Sequence, residues 1–120
     1  MSKVTKAQKN EDKVLAKLRE ICLALAGVQE VKTWGHPTFQ AGKKSFAVLD
    51  DYNGHLCICL KMTLALQHLL LEDPRFFKTP YSGNKGWVSL IADSRLNWGE
   101  VRRLVSESYA LVSTKKSKSS

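Results

Sequence analysis

Apolar side chains recur between positions 14 and 25 as Val14, Leu15, Leu18, Ile21, Cys22 and Leu25. The spacing of i, i+1, i+4, i+7, i+8 and i+11 draws one apolar face on a helix. Lys13, Lys17, Arg19 and Glu20 fall on the other side, a polar cap near Asn10 or Asp12 starts the helix, and Gly27 ends it. The period then changes. Gln29–Trp34 alternates, with Val31 on one face and Glu30, Lys32 and Trp34 on the other. Ser45–Leu49 and Leu56–Met62 are two further β runs flanking a loop from Asp50 to His55, and Asn53-Gly54 within that loop is the strongest turn signal in the chain. Leu56, Ile58, Leu60 and Met62 share a face and are assigned to a helix-covered core. Cys57, Cys59 and Lys61 point to the second face.

Thr63 caps a second helix through about Leu71, which Glu72-Asp73-Pro74 stops because Asp73 precedes a proline. Arg75–Lys85 reads as loop or irregular strand, and Trp87–Ile91 as the last strand. Asn97 and Glu100, at capping-box spacing, open a third helix whose inner face is Val101, Leu104, Val105, Ser108 and Val112. Trp98 stands at its start and Tyr109 near its end. The order implies an α+β domain: an antiparallel sheet of about four to five strands with helices mainly on one face. The second sheet face is expected to be open, and a face left open must be polar or occupied by a partner.

The segment Thr33-Trp34-Gly35-His36-Pro37-Thr38-Phe39 departs from these regular patterns. It reads as a bent strand-to-strand crossing in which Gly35 supplies unusual backbone angles, Pro37 fixes φ, and His36 is pushed toward extended geometry.

Composition adds bounds. With 120 residues, 43% hydrophobic and 25% charged, the chain suits one domain, expected over residues 11–112. Residues 1–10 and 113–120 are read as disordered basic tails. The net charge is +8, but Lys3, Lys6 and Lys9 supply three of those charges and Lys115, Lys116 and Lys118 three more, leaving +2 on the body. No apolar run approaches the roughly 20 residues of a membrane span, so no membrane association and a cytoplasmic location are expected. The cysteines Cys22, Cys57 and Cys59 are odd in number and lie in apolar segments, as reduced core thiols do. No glycine-rich phosphate loop, catalytic motif or metal-ligand spacing is evident, so the chain is read as a non-enzymatic monomer without cofactor or metal.

Six short motifs occur in a fixed order: Trp34-Gly35-His36-Pro37-Thr38-Phe39, the Lys44–Ala47 run, Leu70–Pro74 before a Phe, Gly86-Trp87-Val88, Asn97-Trp98, and Glu107-Ser108-Tyr109. Together they resemble the MmcQ/YjbR family of small bacterial proteins over residues 10–112. The resemblance implies a compact α+β domain similar to the frataxin-like (CyaY-like) fold, and a DNA-binding role of the "double-wing" type. Members often carry Asp where this chain has Asn97; either caps a helix. Iron binding is not carried over, because it depends on an acidic ridge, and the first helix has only Glu11, Asp12 and Glu20 among its cations.

On this reading DNA or another nucleic acid is the expected partner. The contacts would come from Lys44, Lys61, Arg75 and Lys85 on the open sheet face, with Trp34 and His36 beside them. The alternatives are a small-molecule site or unrecognised enzyme with a pocket around Trp34, His36, Lys61 and Tyr109, or a protein-interaction domain. Each residue also has a plainer role: His36 hydrogen-bonded within the crossing, Lys61 extended to solvent, each Trp packed in core or edge, and Tyr109 tying its helix to the sheet.

Overall fold

The computed structural model describes residues 5–93 and 95–113. In chain order the elements are α1 (Lys6–Leu23), β1 (Val28–Thr33), β2 (His36–Ala41), β3 (Lys44–Tyr52), β4 (His55–Lys61), α2 (Leu64–Leu70), β5 (Phe76–Lys78), β6 (Trp87–Ile91) and α3 (Trp98–Ser113). The strands form one antiparallel sheet in the order β1-β2-β3-β4-β6-β5. Among the described residues no helix is long and apolar enough to cross a membrane.

The helix faces follow the apolar periodicity. Val14, Leu18, Ile21 and Cys22 of α1 and Val101, Leu104, Val105 and Val112 of α3 pack on Phe39, Phe46, Leu49, Ile58, Leu60, Val88 and Leu90 of the sheet. Phe39 and Phe46 are fully buried, and each buried side chain of this size contributes roughly 1.5–3 kcal/mol. Two of the predicted caps are in place: Thr63 accepts from Leu66 N–H at 3.1 Å, and Asn97 Oδ1 accepts from Glu100 N–H at 3.1 Å.

The sheet has six strands, more than the four to five expected. β2 is the strand the pattern concealed. Thr33 pairs with His36, so Trp34-Gly35 is a two-residue hairpin turn, with φ of 54° and 84°, and not a longer crossing. Pro37, ordinarily a sign against an inner strand, is tolerated near the start of β2. The run from Asp50 to His55 is also shorter as a loop than expected. β3 continues through Tyr52, which pairs with His55 across Asn53-Gly54.

α1 begins at Lys6, inside the stretch expected to be a disordered tail. Thr5 caps it by accepting from Gln8 N–H at 3.0 Å, and Asn10, expected as a cap, instead donates to the Ala92 carbonyl at 3.0 Å. At the other end Ser113 lies in α3, with its hydroxyl donating to the Tyr109 carbonyl. The rest of the expected tails, residues 1–4 and 114–120, lies outside the described residues.

Ser108, and not Tyr109, ties α3 to the sheet. The paired residues of β3 and β4 end at Ala47 and Leu60. Beyond them the buried Ser108 hydroxyl donates to the Phe46 carbonyl at 2.6 Å and accepts from Lys61 N–H at 3.0 Å, satisfying two backbone groups where the ladder stops. Tyr109 OH donates to the Ala26 carbonyl at 2.6 Å, joining α3 to the turn after α1.

Candidate functional site

The sheet face opposite the helices is concave and not simply open. Thr38, Cys59, Thr79 and Ser89 on or beside it are buried, and so is Cys57, which was expected to face a less covered side. A cavity of about 540 Å³ occupies the hollow. It takes residues from both edges of the sheet: Trp34 from the β1–β2 turn and Tyr81 from the loop after β5. For two edges four strands apart to line one cavity, the sheet has to curl, as the natural twist of strands allows.

The rim is aromatic. Trp34 is 93% exposed and Tyr81 99% exposed, and both hold positive φ, 54° and 68°. Such angles are uncommon for large side chains and cost on the order of 1–2 kcal/mol each. Trp34 therefore does not pack in core or edge, as first read. Trp87 and Tyr52 complete the aromatic lining, with Tyr52 braced edge-on by Phe77 at 6.3 Å between ring centroids.

Below the rim the cavity is polar. Thr79 Oγ1 lies 2.8 Å from Ser89 Oγ, which lies 3.3 Å from Cys59 Sγ, so the buried hydroxyls and the thiol satisfy one another. Burial pushes the Cys59 thiol up to about 12, with Ser89 opposing it weakly, so it stays protonated and unreactive. The loop carrying Tyr81 is anchored by the buried Gln67 of α2. Its amide donates to the carbonyls of Gly83, at 2.7 Å, and Trp87, at 2.9 Å. Gly86 closes the loop at φ 98°, where an added Cβ would stand 2.0 Å from the Met62 carbonyl oxygen.

One end of the hollow carries charge. His36 Nε2 lies 3.1 Å from Asp50 Oδ1, the carboxylate that also accepts from Asp51 N–H at 2.7 Å. Both side chains are largely withdrawn from solvent. A carboxylate oxygen accepts, so the imidazole Nε2–H is the donor of this pair. Burial first, then the hydrogen-bonding Asp50 carboxylate, hold the Tyr52 hydroxyl well above its ordinary pKa, so it remains a donor. His36, Asp50 and Asp51 also bring one ligand atom each within 4.8 Å of one another, a grouping that no sequence spacing displayed. One imidazole and two carboxylates suit a divalent ion such as zinc or manganese. The Asp50 oxygen is already committed to two hydrogen bonds, and the arrangement is first a fixed His–Asp pair.

The residues expected to act together are only partly assembled. Trp34 and His36 line the hollow. Lys61 is not among the lining residues; its Nζ donates to the Lys85 carbonyl at 3.0 Å. Lys85 is exposed on the short turn that follows Tyr81 and also stands outside the lining. Lys44 and Tyr109 line a different cavity, beside the end of α3 with Gly27 and Gly42. Arg75 is engaged by Asp73 at 2.6 Å and Glu100 at 2.8 Å, and those two carboxylates raise its pKa well above the usual value. The expected pocket of Trp34, His36, Lys61 and Tyr109 is thus divided between two faces, and the expected cationic surface is dispersed. Asp50, Asp51 and Tyr52 were missed because they were assigned to a loop. The two-residue Asn53-Gly54 turn was the signal that β3 runs on to Tyr52 with its alternation intact.

The YjbR family profile matches residues 23–111, a span that contains the Trp34–Phe39 segment, Asp50 and Tyr81. The chain belongs to the YjbR family. Two solved structures show the same fold. A protein from Pseudomonas syringae aligns with a TM-score of 0.69 at 18% identity, covering 81% of this chain and 97% of the other. A Deinococcus radiodurans protein with a DUF419 domain aligns with a TM-score of 0.69 at 23% identity, covering 86% of this chain and 80% of its own. No curated protein matches the chain. At these identities the likeness extends to the fold, and the function of this YjbR protein has to be argued from its site.

Proposed function

We propose that this YjbR protein is a small-molecule-binding domain whose site is the concave face of the sheet. One observation carries the reading: a cavity of about 540 Å³ whose rim holds Trp34 and Tyr81 almost wholly in solvent. The volume lies within the roughly 300–1,000 Å³ of ligand sites, and the lining combines apolar surface with a few fixed polar groups. Aromatic side chains left in water gain most from a ligand that covers them. The His36–Asp50 pair supplies the directional contacts.

The test is a fragment screen by nitrogen-15 NMR on the full chain, following the indole N–H signals of Trp34 and Trp87 and the backbone of Tyr81. Ligands that move these signals together, and lose that effect in Trp34→Ala, support the reading. Fragments that perturb only other surfaces would overturn it.

Nucleic-acid binding has a separate observation in its favour, away from the sheet face. Lys13, Lys17 and Arg95 join Trp98 in lining a cavity of about 440 Å³ that has no carboxylate among its described residues. Lys6, Lys9, Lys13 and Lys17, all exposed, follow one another at i, i+3, i+7 and i+11, a single row along α1. A polyanion would meet this row before it met the hollow. Fluorescence anisotropy with a labelled duplex should then show a steep salt dependence that is reduced by about two in slope in Lys13→Gln/Lys17→Gln. An unchanged slope would remove this second reading.

A further inference from the structure

The charge lining the hollow runs against that of the protein. The chain carries +8, two other cavities are lined by lysine or arginine without a carboxylate among the described residues, and a third sets Lys6 against Glu11, Asp51 and Asp93. Among the described residues the hollow has no lysine or arginine; its charged residues are Asp50 and Asp51, with His36 beside them. Whether or not His36 holds a proton, the sum stays negative. Four aromatic side chains, Trp34, Tyr52, Tyr81 and Trp87, share the same lining. Lys61, on the face of β4 that carries Cys59 and paired with Trp87, stands outside the lining with its Nζ donating to the Lys85 carbonyl.

From this combination we infer that the ligand is an organic cation, an alkylated ammonium group taken into an aromatic cage with Asp50 and Asp51 as its counter-charge. The inference rests on the small-molecule reading of the hollow and adds the chemical class. Aromatic faces attract a cation through their quadrupole, and the attraction grows where water is excluded. A quaternary or tertiary ammonium loses less hydration than a bare ammonium when it enters such a site, so the rings can compensate the loss. A metal ion would use His36, Asp50 and Asp51 but leave the aromatic rim without a role. An anion would face two carboxylates and no cation. A phosphate-bearing ligand is therefore directed to other surfaces, where the lysines are.

Three probes of one shape separate charge from fit: choline, its uncharged carbon isostere neohexanol, and the anion tert-butylacetate. Each is titrated into the full chain with a chelator present, with the Trp34 and Trp87 indole signals and Tyr81 followed by NMR. Choline should bind about tenfold or more tightly than neohexanol, and tert-butylacetate should not bind. Asp50→Asn/Asp51→Asn should remove the preference for choline over neohexanol, while Trp34→Asn should weaken choline binding about tenfold with the fold intact by far-ultraviolet circular dichroism. Neohexanol binding as well as choline at these signals would overturn the cation class and leave the small-molecule site standing. None of the three binding would overturn the inference, and the fragment screen then decides the site on its own.

Discussion

Replacing Trp34 by asparagine should stabilise the protein. The indole is 93% exposed, so the substitution removes less than a tenth of a side chain from contact. With roughly 3 kcal/mol for complete burial of a large apolar side chain, the loss is on the order of 0.3 kcal/mol. Against this stands the backbone. Trp34 and Gly35 have φ of 54° and 84°, close to the 53° and 81° of Asn53 and Gly54 in the other two-residue hairpin of the same sheet. Asparagine-glycine is the preferred pair for such a turn, and a left-handed tryptophan costs about 1–2 kcal/mol that asparagine largely avoids. The net expectation is a gain of about 1 kcal/mol. In urea unfolding with an m-value near ~1.5 kcal/mol/M, the midpoint should rise by about 0.7 M with m unchanged, and Tm by about 4 °C. Ligand binding at the rim should fall at the same time, so stability and binding move in opposite directions. A midpoint that falls would mean that the indole is packed in solution, and the open aromatic rim, with the function argued from it, would be refuted.

Three other outcomes follow from the same geometry. Ser108→Ala should cost about 2 kcal/mol in urea unfolding, since it deletes the hydroxyl that bridges the Phe46 carbonyl and Lys61 N–H, while Ser106→Ala on the exposed side should change stability by less than about 0.5 kcal/mol; equal effects would remove the bridging role. Gly86→Ala, whose Cβ would stand 2.0 Å from the Met62 carbonyl oxygen, should cost at least ~3 kcal/mol, against about 1 kcal/mol for Gly54→Ala, which meets nothing within 4 Å; similar costs would deny the close approach. For Asp93, burial works to raise the pKa, but the His55 imidazole and Leu56 N–H outweigh it and hold the carboxyl below its ordinary value. A depressed folded-state pKa contributes stability that is present above the unfolded value near ~4 and lost as pH falls through the folded value. Stability should therefore decline below about pH 4, and less steeply in Asp93→Asn; an unchanged acid limb would show that the contact adds nothing.

The buried faces of α1 and α3 were legible from one period each, and the starts of α2 and α3 from their caps, whereas the start of α1, at Thr5 and not at Asn10 or Asp12, was not. Val101, Leu104, Val105, Ser108 and Val112 are all buried, and Thr63 and Asn97 cap where their spacing indicates. β2 was not legible, because Pro37 argued against a strand and Trp34 is an unusual residue for a tight hairpin. Both obstacles lie in the segment that builds the site. Local rules fail where function asks for a residue the turn would not choose. Trp34 and His36 were singled out for their chemistry, but their partners come from Asp50, fourteen residues on, and from Tyr81 at the far edge of the sheet. Only the curl of the sheet brings these together, and no local pattern encodes that.

Lys44, Lys61, Arg75 and Lys85 were grouped by assuming that cations near a sheet converge on its open face. The structure separates them because each has a local reason to be where it is: Arg75 answers two carboxylates, Lys61 a carbonyl, and Lys44 and Lys85 lie at exposed strand or turn ends. The cations that do align are those of α1, where helical periodicity alone places Lys6, Lys9, Lys13 and Lys17 in a row. The lysine row lies along α1 and the hollow on the sheet, and they approach each other where Lys6 and Asp51 line one cavity. Binding at the lysine row is governed by counterion release and should weaken steeply with salt. On the proposed reading, binding in the hollow places charge against the half-buried Asp50 and against aromatic faces that the ligand covers, where screening reaches less. On that reading, salt dependence therefore distinguishes a ligand of the lysine row from a ligand of the hollow before a single residue is changed.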